Sequence, residues 1–199
     1  KNSNMKNLII IPSRLESSRL PNKPLADING EPMIVHVYKR AKEANIGNVI
    51  VAAGNTEIKE VIENVGGDAI LTNPNHASGS DRIYEALRLY DKDSSYNNII
   101  NLQGDLPNIQ KNALTKIVTL LNSGDSDVST LGIKISSDHE VLNPNIVKAY
   151  VKNLSENNHV DDFDRSFDLS KKDFLYHHIG IYGYKRNALE SFIGFNQSK

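Results

Sequence analysis

Three cations fall within ten residues of this chain: Arg14, Arg19 and Lys23, interleaved with the hydroxyls of Ser13, Ser17 and Ser18. Guanidinium groups grip phosphate oxygens as a fork, and an ammonium adds a mobile point charge, so the set suits a polyanion. Pro12 stands ahead of it, and Pro21 and Pro24 stiffen its far half. The same composition also fits a solvated basic loop whose cations pair with surface carboxylates. It is not a Walker A loop, because G-x-x-x-x-G-K-[ST] does not occur. A second group is His76-Ala-Ser-Gly-Ser-Asp81-Arg82. It opens a helix, where free backbone N–H groups favour anions. Ser78 and Asp81 also have loose capping-box spacing, so a plain cap is the competing reading. The third group is Gln103-Gly104-Asp105-Leu106-Pro107. Its carboxylate follows a strand and is suited to holding Mg²⁺ against phosphate oxygens, although Gly-Asp and Pro are ordinary turn residues too.

These groups need a scaffold, and the apolar pattern supplies one. Residues 8–11 (LIII) form an unbroken apolar run, as in a strand buried on both faces, and Pro12 is expected to end it. In open α/β sheets ligands bind beyond the carboxyl ends of the strands, which is where the cationic loop falls. Met33, Val37, Ala41 and Ala44 recur at helical spacing after Gly30 and Pro32. Residues 48–53 read as a second strand, and Thr56 as the N-cap of a helix running to Val65. Gly66-Gly67 stop it, residues 69–72 read as a third strand, and the His76 segment opens a helix to about Tyr90. Residues 98–102 read as a strand, 110–121 as a helix, and 128–135 and 147–154 as strands. The polar, acidic stretch 155–173 is expected to be a loop. Residues 174–184 (FLYHHIGIYGY) read as a strand with His178, Gly180, Tyr182 and Tyr184 on one face. His177 then points the other way, so the adjacent histidines do not form a metal pair. Strand–helix alternation predicts an α/β fold, a Rossmann-like α/β/α layer architecture with a mostly parallel sheet. One domain over residues 6–199 is expected, with a nucleotide-binding half to about 125 and a second part from about 126.

Composition narrows the function. The chain has 199 residues, ample for a core without staples, and no cysteine, which excludes disulfides and a thiol nucleophile. A formal net charge of −1 argues against a general nucleic-acid binder. No apolar run approaches the ~20 residues of a membrane span, and no signal-peptide pattern precedes Leu8.

The run IIIPSRLESSRLPNKPLADINGEPMIVHV closely resembles the opening of the sugar-activating cytidylyltransferases, in particular the branch that activates 3-deoxy-manno-octulosonate (Kdo). The resemblance implies that Pro12, Ser13, Arg14, Arg19 and Lys23 wrap the triphosphate of CTP, with Arg14, Lys23 and Asp105 carrying the catalysis. It places His76, Ser78, Gly79, Arg82 and Gln103 along the nucleotide, with Ser80 replacing the family's Thr. Asp105 becomes the ligand of Mg²⁺, and Leu106 stands where the family has Glu. Gln103, Arg165, His178 and Tyr182 take the sugar-acid contacts. Asn143-Pro144-Asn145-Ile146-Val147-Lys148 matches another family run. Residues 52–54 read Ala-Ala-Gly where the family has an Ala-Thr-Asp type segment. Around Arg165-Ser166 the family's aromatic, proline-containing segment is reduced to those two residues. The family pattern also continues past Lys199, with further sugar contacts and a second carboxylate for magnesium. The implied reaction joins CTP and Kdo to CMP-Kdo and pyrophosphate for lipopolysaccharide biosynthesis, in a cytoplasmic homodimer that needs neither nucleic acid nor membrane. A sialic-type acid as substrate, or an inactive nucleotide-binding remnant, are the alternatives.

Overall fold

Leu8, Ile9, Ile10 and Ile11 expose no surface at all, so the first apolar run is a strand sealed on both faces. The computed structural model describes residues 5–16, 21–124, 126–153 and 158–197. The chain opens with β1 (Asn7–Ser13), a 3-10 turn (Lys23–Leu25), β2 (Asp27–Ile28), β3 (Glu31–Pro32), α1 (Met33–Glu43) and β4 (Asn48–Ala53). Next come α2 (Thr56–Asn64), β5 (Asp68–Leu71), α3 (Gly79–Tyr90), β6 (Asn98–Leu102) and α4 (Lys111–Asn122). Then follow β7 (Val128–Lys134), α5 (Asp138–Leu142), β8 (Lys148–Tyr150) and β9 (Asp162–Asp164). A second 3-10 segment (Leu169–Phe174), β10 (Leu175–Lys185) and α6 (Arg186–Gln197) complete the order.

Two compact units result. The first runs to Ser129 and resumes at Ile181; the second is Thr130–Gly180. Residues 181–197 thus return to the first unit after the second. In that unit β5, β4, β1 and β6 lie side by side, all parallel. The last five residues of β10 pair antiparallel with β6, Ile181 opposite Leu102 and Lys185 opposite Asn98. Strand alternation sends Leu8 and Ile10 to one face, where they pack with Ile83, Ala86 and Leu87 of α3 and Leu189 and Ile193 of α6. The opposite face receives α1, which touches both α2 and α4. This is the α/β/α layering with a mostly parallel sheet that the alternation predicts.

Several local expectations need correction. β1 does not stop at Pro12 but continues through Ser13, with Pro12 opposite Ala52 and Ser13 opposite Ala53. Ser13 O accepts from Gly54 N on the β4 side (2.8 Å). Pro12 must then direct its missing donor to the other side, where pairing with β6 has already ended at Ile10 opposite Asn101. Thr56 is the first residue of α2 rather than its cap; Asn55 holds the cap position and spends its side chain elsewhere. The second unit also departs from the reading. Residues 155–173 were expected to be a loop, but β9 and most of a 3-10 segment lie there, because β9 pairs antiparallel with β8. β8 is correspondingly shorter than the expected 147–154, covering only Lys148–Tyr150. A small core of Ile135, Val141 and Leu175, backed by Tyr150 and Phe167, holds this unit.

One ion pair ties α6 into the first unit. Arg186 Nη1 lies 2.5 Å from Asp91 Oδ2, with the two side chains only 12% and 3% exposed. Burial alone would raise the Asp91 carboxyl. The N–H groups of Ser95 and Tyr96, the Ser95 hydroxyl and Arg186 outweigh it and hold the group below its usual value. A depressed carboxyl stabilises the fold above the unfolded value of ~3.9, and the contribution is lost as pH falls through the folded value. Arg186→Met strands a buried carboxylate, so urea unfolding should show a loss of about 3–5 kcal/mol near neutrality. Asp91→Asn should flatten the acid side of the stability–pH curve; an unchanged acid limb would show that Asp91 carries none of it.

Candidate active site

Beyond the carboxyl end of β1 the cationic loop begins at Arg14, and Asn55 fixes its first residues. Asn55 Oδ1 accepts from Leu15 N (2.9 Å) and Nδ2 donates to Glu16 Oε1 (3.0 Å). This bond, more than any other, holds the Glu16 carboxyl below its usual value. Asn22 N donates to Leu15 O (3.0 Å), so the loop is closed on itself, with Asn22 in the left-handed region at φ 61°. Arg19 lies outside the described residues. Lys23 starts the 3-10 turn whose Pro24 is buried, and its Nζ stands 3.3 Å from Asp105 Oδ2.

Asp105 reaches that position because Gly104 lets its loop close on β1. A Cβ on Gly104 would lie 3.1 Å from Pro12 O and 3.4 Å from Ile34 Cδ1. From the other side comes the start of α3. Ser78 caps it, accepting from Asp81 N (3.1 Å), and the Ser78 hydroxyl donates to the Asp81 carboxylate (2.6 Å). The capping reading of this segment is therefore true, and it does not compete with a binding role, since capping orients the helix end toward the pocket. His76 Nε2 bonds Glu85, whose carboxylate also accepts from Asn73 N (3.0 Å). Burial pushes Glu85 up, but His76, the Asn73 N–H and Arg82 hold it below its usual value.

Pro12, Ser13, Arg14, His76, Ser78, Gly79, Arg82 and Gln103 line one pocket of about 190 Å³, together with Ala77. Usual ligand clefts hold roughly 300–1,000 Å³, so this one encloses part of a nucleotide rather than all of it. Ser13 is 7% exposed, and its hydroxyl finds no partner among the described residues. A buried, unmatched hydroxyl at the pocket wall is a group that a ligand would satisfy.

Arg82 forms the floor at 2% exposure. Its Nη1 donates to Thr72 Oγ1 (2.7 Å) and Asn73 O (3.1 Å), and Nη2 to Pro74 O (3.2 Å). Among the described residues no carboxylate lies within ion-pair distance of it. Burial, then the charge of Arg14, hold its pKa below the usual value, with Glu85 and Glu16 acting against them. The sequence departure at residue 54 explains how the guanidinium fits. A Cβ on Gly54 would stand 2.6 Å from Arg82 Nη1 and 3.1 Å from Arg14 Cβ.

The remaining expected residues lie elsewhere. Tyr182 belongs to the first unit, half-buried, with its ring stacked on Tyr184 at 6.1 Å. Burial raises its phenol, and Tyr184 is pushed up to about 12 by burial and then by Tyr182. His178 and Arg165 belong to the second unit. Thr130 Oγ1 and His178 Nε2 are 2.9 Å apart, and Phe163 packs edge-on against the imidazole at 5.1 Å. Burial, then the neighbouring His177, hold the ring below its ordinary pKa. Arg165 Nη1 donates to Pro144 O (3.3 Å) and Asn145 O (3.1 Å). Sequence reasoning missed Asn55, Gly54, Thr72 and Glu85; only Gly54 carried a signal, as a departure from the family pattern.

A mostly parallel α/β sheet with a cation- and hydroxyl-lined pocket past the end of its first strand suits a phosphate-bearing ligand such as a nucleotide. Over residues 8–199 the chain matches the cytidylyltransferases, and it belongs to that family. A 3-deoxy-manno-octulosonate cytidylyltransferase of Bartonella bacilliformis is 45% identical over 195 residues, 98% of this chain and 80% of the relative. One from Brucella ovis is 44% identical over 196 residues, covering 98% and 78%. Among solved structures, a CMP:2-keto-3-deoxy-manno-octonic acid synthetase complexed with CTP superposes with a TM-score of 0.84 at 35% identity. The superposition covers 95% of this chain and 78% of that one. A 4-diphosphocytidyl-2C-methyl-D-erythritol synthase from Anaerococcus prevotii shares the fold alone, with a TM-score of 0.63 at 12% identity over 96% of this chain and 77% of that one.

If Gly54 keeps both arginines in place, Gly54→Val should cost about 1–3 kcal/mol of stability by overpacking. It should also weaken binding of inorganic tripolyphosphate several-fold in calorimetric titration. Unchanged tripolyphosphate affinity would show that the room at residue 54 is irrelevant to the pocket.

Proposed function

We propose that this chain is a cytidylyltransferase that joins CTP to Kdo, releasing pyrophosphate and supplying CMP-Kdo for lipopolysaccharide biosynthesis. One observation carries the reading. The pocket of Pro12–Arg14, His76–Gly79, Arg82 and Gln103, with the Lys23–Asp105 pair, occurs in a chain 45% identical to a Kdo cytidylyltransferase. The anomeric hydroxyl of Kdo attacks the α-phosphorus of CTP in line; the new O–P bond forms as the bond to the pyrophosphate oxygen breaks, and the hydroxyl proton is released to solvent. Such transfer depends on positioning and charge neutralisation rather than on a protein nucleophile. Arg14 and Lys23 neutralise the triphosphate, and Arg19 of the same loop is assigned the same work. Arg82 backs them from the floor, and the Ser13 hydroxyl and the α3 N–H groups bond phosphate oxygens. Gln103 and Tyr182 in the first unit, and Arg165 and His178 in the second, are assigned to the sugar acid. A neutral imidazole at His178 serves there as a hydrogen-bonding group rather than a charge.

Asp105 suits Mg²⁺. Its carboxylate is largely exposed with Lys23 on Oδ2, and Mg²⁺ is usually bound through one or two carboxylates plus substrate phosphates rather than an all-protein cage. When bound, Mg²⁺ supplies neutralisation of the charge on the triphosphate oxygens. No helix among the described residues is long and apolar enough to cross a membrane. A cytoplasmic homodimer completes the proposal.

Pyrophosphate release in the presence of CTP, Kdo and Mg²⁺ tests it. Asp105→Ala should reduce release by about a hundredfold or more, and omission of Mg²⁺ should do the same to the unaltered chain. N-acetylneuraminate in place of Kdo should give little product. No release from the unaltered chain, with CTP still bound, would leave a nucleotide-binding protein without this activity.

A further inference from the structure

The most deeply buried charge in the second unit has no part in the function above. Lys148 on β8 is fully buried, with no exposed surface, yet makes no ion pair with any described carboxylate. Its Nζ donates to Asn143 O (2.8 Å), Ile146 O (3.1 Å) and Arg165 O. Three donors meet three carbonyls, so the ammonium has none left for a ligand. Arg165 covers the other two carbonyls of the same turn, those of Pro144 and Asn145, through Nη1. Four consecutive carbonyls, 143 to 146, are thus divided between two cations. The antiparallel register, with Lys148 opposite Asp164, puts Arg165 beside Lys148, and the Asp164 carboxylate accepts from Arg165 N (2.6 Å).

What this does to Arg165 follows from its donors. The side chain is exposed, but Nη1 is anchored, and Nε and Nη2 donate to no described residue. An arginine receives a carboxylate bidentately through adjacent donors of its fork. A guanidinium pinned along one edge and open along another has already given up the rotamer freedom it would lose on binding.

We propose that Lys148 is a positioning residue: it braces the 143–146 turn and the Arg165 backbone so that the free edge of Arg165 stands ready for the carboxylate of the sugar acid. This deepens the Kdo reading and rests on it for the ligand. The groups facing the ammonium are Asp164, which favours its charge, and Arg165, which opposes it; burial, with Arg165, outweighs Asp164 and holds the lysine below its ordinary pKa. Carbonyl dipoles therefore carry the charge, and methionine of similar volume would leave all three carbonyls unmatched.

The experiment combines kinetics with arginine side-chain NMR on the full chain. Lys148→Met should raise KM for Kdo about tenfold or more, the usual scale for a hydrogen bond to a charged group, and leave KM for CTP unchanged. Arg165→Ala should do the same, and the double variant should be no worse than Arg165→Ala alone. In ¹⁵N spectra the Arg165 Nε–H signal should be ordered in the unaltered chain and motionally averaged in Lys148→Met. Should that variant not fold, Lys148→Arg replaces it, since a planar fork cannot place one nitrogen on three carbonyls. Multiplying effects on KM, or an Arg165 side chain equally ordered in the variant, would overturn the brace. Loss of Arg165 order without turnover of Kdo in the unaltered chain would uphold the brace and reject the substrate.

Discussion

Removing a guanidinium from water is unfavourable unless its donors are matched, and the pocket of the first unit is arranged around meeting that condition for Arg82. Thr72 Oγ1 and the carbonyls of Asn73 and Pro74 accept from it, so the segment between β5 and α3 is drawn onto the side chain. Thr72 is in turn fixed to β4, its N–H and hydroxyl both donating to Ala53 O. Gly54, one residue further on, clears the space the guanidinium occupies. Remove the arginine and the segment before α3 loses its anchor, and with it the placement of His76 and the Ser78 cap. The charge itself is not cancelled. Arg14 stands beside it, and neutral dipoles rather than a paired carboxylate surround it, so the pocket keeps a field that a polyphosphate would complete.

How far the sequence could be read depends on what kind of information each feature carried. The layers were legible because a run such as residues 8–11 has few alternatives: four apolar residues in succession must be covered on both sides. The pocket was legible through motifs, since residues 12–14, 76–82 and 103–105 each lie at a strand's carboxyl end or open a helix. The misreadings have one source. A proline at position 12 predicts the end of β1 through its missing donor, but whether that donor matters depends on which neighbour the backbone faces, and β6 has already stopped pairing there. Likewise Asn55 and Thr56 are both acceptable caps by type. The choice between them was made by the loop, since the Asn55 amide is needed by Leu15 and Glu16, forty residues away in sequence for Leu15. Pairing across such distances leaves no trace in local composition.

Residues 155–173 teach the converse lesson. Their polarity argued for a loop, yet β9 forms there with all three residues exposed. A strand at the margin of a small unit needs no buried side chains of its own if its backbone is paired, and β8 provides the partner. Its register sets Asp164 opposite Lys148, and the next residue, Arg165, gives its carbonyl to the buried ammonium.

Both units therefore handle a buried cation in the same way, with carbonyls in place of carboxylates. The difference from an ion pair is functional. A carboxylate at hydrogen-bonding distance would satisfy Arg82 more strongly, but it would also cancel the field and compete with an anionic ligand for the donors of the pocket. Carbonyl oxygens orient the cation while leaving its net charge in place. The carboxylates nearest these groups are committed elsewhere: Glu85 to His76 and Asn73, Glu16 to Asn55, and Asp164 to the N–H groups of Arg165 and Ser166. Acidic side chains are plentiful in a chain of net charge −1, so their absence from these contacts is not a matter of supply. A pocket that binds a triphosphate gains affinity by keeping its own anions occupied.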